Sequence, residues 1–166
     1  MSFQTSASPK AAVLLFKATM AAGTVGIFLG IYFAFTDPIL SVKVAAALLV
    51  GVVGVISFLR HSVFWRSDQA RMGWAQDNPA FQMEVGFANL ALGLVALAAV
   101  LFSWGSVAYG TMLLSYGLYL AGSIVVHLRD AGASDPERRS RVFAKVLNTG
   151  IFAAALLAFG VYAISL

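Results

Sequence analysis

The stretch GWAQDNPAFQMEVGFANLALG, Gly73 to Gly93, decides the fold because it passes from loop chemistry into an apolar helix without leaving polarity behind. Asn78-Pro79 is a helix-opening signal, since proline suits the first helical position and asparagine suits the cap before it. From Ala80 the apolar residues run on to Phe102, long enough to cross a hydrocarbon layer about 30 Å thick. Within that run Gln82, Gly86, Asn89 and Gly93 recur at helical spacing. They form one stripe, small enough for a second helix to approach and polar enough to hydrogen-bond it. At 1.5 Å rise per residue Asn89 lies about 15 Å in from Pro79, near mid-membrane, and Glu84 only about 7 Å in. Glu84 also lies about 200° around the helix from Gln82 and about 140° from Asn89.

Working outward, four further apolar runs appear, at 11–35, 42–64, 106–128 and 142–166, which with 80–102 make five candidate spans. Asp37-Pro38, Gly105 and Asp135-Pro136 mark the breaks between them, with Asp135 placed as an N-cap. The runs are continuous rather than alternating, so the fold class is an all-α membrane bundle in a single domain over 1–166, not a β-barrel. Composition agrees: 60% of the 166 residues are hydrophobic and only 11% charged, too little polar surface to coat a soluble domain. The first run is longer than a signal-peptide core and is kept as a span.

Five spans put Lys10, Lys17, Arg60, Arg66, Arg71, Arg129, Arg138, Arg139, Arg141 and Lys145 on one side, leaving Lys43 opposite out of 11 basic residues. Positive charge marks the cytoplasmic side, so the N-terminus is expected inside and the C-terminus outside. The net charge of +4 is carried by residues hugging helix ends. That pattern points to anionic lipid headgroups rather than nucleic acid. With Cys at 0, disulfides, thiolate nucleophiles and Cys-ligated metals are excluded.

The candidate site residues cluster at the expected cytoplasmic ends of three spans. His61 closes the second, Glu84 opens the third and His127 lies near the end of the fourth, at similar depth. Gly54, Ser57 and His61 form one helical stripe and Tyr116, Leu120, Ser123 and His127 another, each suited to a packed inner face. Two histidines and a carboxylate have the donor set for a divalent metal; two histidines alone have that for a haem; either can relay a proton or bind an anion. Between the second and third spans, SVFWRSDQARMGWAQDN reads as a short interfacial helix with a cap at Ser67, and Trp65 and Trp74 at headgroup level. The functional alternative for this segment is a lid over the cytoplasmic pocket, with Trp74 among the ligand-binding candidates.

The run from Arg60 to Asp130 resembles an uncharacterised family of small prokaryotic multi-span membrane proteins, a domain of unknown function. The resemblance rests on His61, Gly73-Trp74, Pro79, Phe81-Gln82, the string EVGFANLA from Glu84 to Ala91, His127 and Asp130. Ala80, between Pro79 and Phe81, departs from its pattern, as does the loop after Asp130. The family supplies no activity, but the resemblance implies that His61, Glu84, Asn89 and His127 act as a set. The sequence has no H-E-x-x-H, no phosphate-binding G-x-x-x-x-G-K and no G-x-S-x-G. The expectation is therefore a protein holding a metal, haem or small ligand in a cytoplasm-facing pocket of His61, Glu84, His127, Asn89, Gln82 and Trp74. One alternative is a membrane enzyme using Glu84 and a histidine as acid and base on a lipid-soluble substrate. Another is a structural subunit of a homo-oligomer or larger membrane complex, to which Gly26-x-x-x-Gly30 would suit close helix contact.

Overall fold

The computed structural model describes residues 7–73, 78–132 and 136–166, and gives no side chains for 130–132, 136–139, 141, 144 and 145. Every element among the described residues is a helix: α1 (Lys10–Ala34), α2 (Pro38–Val63), α3 (Trp65–Met72), α4 (Ala80–Leu101), α5 (Ser106–Gly132) and α6 (Pro136–Ile164). All but the short α3 are long and apolar enough to cross a membrane, which gives the five expected spans.

Their limits follow from local chemistry. The helix α2 begins at Pro38 rather than at Val42, because Asp37 accepts the Leu40 N–H at 3.0 Å and Pro38 occupies the first helical position. The same dipeptide that stops α1 therefore starts α2. Asn78 accepts the Ala80 N–H at 3.1 Å just ahead of α4. Asp135, expected to cap α6, lies outside the described residues. The turn between α4 and α5 takes a left-handed backbone at Ser103 (φ 51°) and Gly105 (φ 95°), where the Ser103 hydroxyl accepts from Lys43 Nζ at 3.2 Å.

The central helix is α2. Half of its most apolar window is buried, against 17–28% for the other spans. Ser41, Val42, Ala45, Ala46, Leu49 and Val50 on it are fully enclosed, and α1, α4, α5 and α6 all pack against it. Close approach depends on glycine. A Cβ on Gly26 or Gly30 would collide with Leu49 of α2 or Phe159 of α6, so the Gly26-x-x-x-Gly30 pair faces the inside of the bundle. A Cβ on Gly54 would stand 2.6 Å from the Asn89 carbonyl oxygen and 2.9 Å from the Gly93 Cα, which places two backbones in contact where α2 crosses α4. That contact also fixes the stripe read from the sequence: Gln82, Gly86, Asn89 and Gly93 are all buried on α4.

The exterior is reversed relative to a protein folded in water. Phe28, Phe35, Leu101, Phe143 and Val161 are each more than 60% exposed, while Asp68, Gln82 and Asn89 are enclosed. Such a surface suits hydrocarbon, where unpaired polar groups are the ones that must be hidden.

The short helix α3 departs from expectation. It tucks its polar residues Ser67, Asp68 and Gln69 into the end of the bundle instead of lying flat outside it. Ser67 does not cap α3, whose N-cap, Phe64, offers no side-chain acceptor. The Ser67 hydroxyl instead accepts the Ala12 N–H at 3.1 Å and donates to the Ser8 carbonyl at 2.8 Å, closing the first turn of α1.

Candidate functional site

The chemistry at the α1 N-terminal end of the bundle gathers around Asp68, which is fully buried. Two features of the chain bring its partners together. The last turn of α2, Leu59–Val63, is π-helical, and its Phe64 N–H reaches back to the Leu59 carbonyl at 2.8 Å. Such widened turns are rare and recur at functional sites. Here the turn lets the sequence neighbours Arg60 and His61 both address one carboxylate from α2. On α3 itself, Arg71 follows Asp68 by three residues and so lies on the same helical face.

The contacts are short. Arg71 donates through Nε to Asp68 Oδ1 at 2.9 Å, with its Nη2 at 2.8 Å from the same oxygen. Gln82 Nε2, from α4, donates to Oδ2 at 2.8 Å. His61 Nδ1 stands 2.8 Å from Oδ2 and Arg60 Nε 3.6 Å from Oδ1. Arg60 Nη2 lies 2.8 Å from His61 Nε2. A guanidinium can only donate, so that contact assigns the imidazole proton to Nδ1, facing Asp68. The Nδ1–H does not align along the line to the oxygen, which makes this a close polar contact rather than a well-formed hydrogen bond. Beneath the cluster, Phe16 of α1 takes both guanidiniums on its ring, Arg71 at 5.0 Å and Arg60 at 5.7 Å from the centroid.

Burial by itself raises the Asp68 pKa, but the His61 contact and the charges of Arg60 and Arg71 outweigh it and hold the carboxyl below its ordinary value. Asp68 is thus an anion enclosed by two cations. Around it Arg60 Nε, Gln69 Oε1 and Gln82 Oε1 are buried without hydrogen-bond partners.

A second polar group lies deeper. Asn89 accepts from the Tyr116 hydroxyl at 2.7 Å and donates Nδ2 to the Tyr119 oxygen at 3.2 Å and to the Val85 carbonyl at 2.6 Å. This joins α4 to α5 by side-chain hydrogen bonds at mid-span, the packing role expected of Asn89.

The expected pocket residues therefore separate. Gln82 joins His61 at Asp68, and Asn89 belongs to the tyrosine pair. Glu84 is exposed, as its position across α4 from Gln82 requires, and no hydrogen bond or ion pair engages it among the described residues. His127 is half-buried near the end of α5. Trp74 lies outside the described residues, as does the side chain of Asp130. Among the described residues no three His, Asp or Glu side chains stand together as a metal site, so His61, Glu84 and His127 do not form that ligand set there. The carboxylate beside His61 is Asp68, which the sequence reading passed over. Its signal was present: one acid flanked by Arg60, Arg66 and Arg71 in the corner between two apolar runs.

Comparison with known families gives one match: the family described as "Family of unknown function (DUF6790)" matches residues 39–165. No curated protein and no solved structure matches the chain.

Proposed function

We propose a function for a chain that belongs to this family of unknown function: an integral protein of a prokaryotic inner membrane that receives a small anionic ligand at Asp68. The N-terminus would be cytoplasmic and the C-terminus outside, which the one-sided placement of 10 of the 11 Lys and Arg residues supports.

The observation that carries the ligand reading is the set of buried polar atoms without hydrogen-bond partners: Arg60 Nε, His61 Nδ1, Gln69 Oε1 and Gln82 Oε1. Each such group costs about 1–3 kcal/mol when left unmet. A small molecule bearing a carboxylate or phosphate, with a hydroxyl or amine beside it, meets both donors and acceptors and balances the surplus guanidinium. A second reading also has support. Both Asp68 oxygens are already in contact with Arg71, Gln82 or His61, as expected of a lock that merely fastens α3 to the bundle. Acid–base catalysis by Glu84 and a histidine has less, because Asp68 stands beside His61 where that mechanism needs Glu84.

The test uses protein purified in mild detergent. Melting is followed against acetate, malate and inorganic phosphate for wild type and Arg60→Gln, while metal content and the visible spectrum of the same sample address metal and haem. Ligand binding predicts a saturable rise in wild-type melting temperature that Arg60→Gln abolishes. If none of the anions shifts wild type and neither metal nor chromophore co-purifies, the lock reading replaces it.

A further inference from the structure

A different feature of the same corner points outward. Ala7, Val63, Phe64, Trp65, Arg66 and Ser67 line a recess of about 230 Å³ where α2 ends and α3 begins. From these residues we infer that it binds the phosphodiester headgroup of an anionic phospholipid, independently of any ligand at Asp68.

The argument starts from charge. Three arginines occupy this corner, and two of them, Arg60 and Arg71, are turned inward onto Asp68. Arg66 is not. It is exposed, and its guanidinium carbon lies over the Trp65 ring, 4.8 Å from the centroid. Among the described residues no carboxylate is within ion-pair distance of it. Stacking on the half-buried indole steadies the guanidinium and leaves its N–H edge for a phosphate, the bidentate geometry arginine favours.

The rest of the wall is amphipathic. Val63 and Phe64 are 54% and 42% exposed, offering apolar cover to the glycerol and upper acyl carbons of a lipid. The first turn of α3 adds positive dipole character and has no side-chain cap of its own. The volume is below the roughly 300–1,000 Å³ of sites that enclose a whole small molecule, which suits a headgroup whose tails stay in the bilayer. The location agrees, since Val63 is the last residue of a span and therefore sits where headgroups lie.

Native mass spectrometry tests the site on the full chain in mild detergent, with equal phosphatidylglycerol and phosphatidylcholine added. Arg66→Ala is compared with Lys10→Ala, an exposed cation at the same end outside the recess. Wild type should retain phosphatidylglycerol in preference, Arg66→Ala should weaken that retention about fivefold, Lys10→Ala should weaken it much less, and inorganic phosphate should not displace it. No preference in wild type, equal loss in both variants, or displacement by inorganic phosphate would each overturn the inference. None of these readings depends on Asp68, so the two proposals stand or fall separately.

Discussion

Asp68 sits where a carboxylate is most costly to leave alone and most constraining once paired. Removing it by Asp68→Ala strands Arg60 and Arg71 over Phe16 with no anion and frees the Gln82 amide. Breaking a buried pair from one side costs about 3–5 kcal/mol, so the variant should melt well below wild type in detergent. A Gln82→Leu variant, which leaves the arginine contacts in place, should fall much less. Acid should reproduce part of the effect. The groups facing Asp68 are His61 and Arg60 from α2, Arg71 from α3 and Gln82 from α4, and His61, Arg60 and Arg71 outweigh burial and lower its pKa. A lowered carboxyl contributes stability that is fully present above its unfolded value of about 3.9 and is lost as pH falls through the lower folded value. The melting gap between wild type and Asp68→Asn should therefore hold from neutrality to about pH 4 and close below it.

At the scale of elements, helix contact in this bundle depends on the absence of side chains as much as on their presence. Gly54→Ala drives a methyl into the Asn89 carbonyl and the Gly93 Cα, which are backbone atoms of α4 and cannot rotate away. Overpacking of this kind costs about 1–3 kcal/mol. Gly122→Ala on α5 meets nothing within 4 Å and should be neutral or slightly stabilising through helix propensity. Thermal melts of the two single variants in one detergent check the contrast. The Gln82-Gly86-Asn89-Gly93 face was legible because periodicity and residue size act locally. The reach of α2 back to Pro38 was not, since Asp37 was assigned to ending one helix and its second role as a cap appears only when the next turn is built. Ser67 was misplaced for a related reason. A hydroxyl near a helix start looks like that helix's cap, and sequence alone cannot reveal a donor 55 residues away at Ala12.

For the whole molecule, hydropathy and charge were the readable quantities, because lipid acts on every residue of a span at once. Convergence of side chains was not readable. Glu84 and Asp68 are both acids beside a span end, and only the packing of α3 against α1, α2 and α4 decides that Asp68 meets His61. Orientation is open to direct measurement, since the native chain contains 0 cysteines and any introduced thiol is unique. Ser165→Cys, at the exposed end of α6, should react with a membrane-impermeant maleimide in intact spheroplasts. Ser8→Cys should react only after the membrane is opened. The reverse pattern would invert the proposed topology and move the Asp68 cluster to the outside.

The bond from Ala12 to the Ser67 hydroxyl also orders events in time. Ala12 precedes its partner by 55 residues, so the opening turn of α1 stays unfinished until Ser67 has left the ribosome. The corner that completes that turn also carries Asp68, so seating α3 closes the start of the chain and engages the charge cluster in one step. A chain cut after Val63 would keep the first two helices and lack that fastening, whereas one cut after Met72 would carry it.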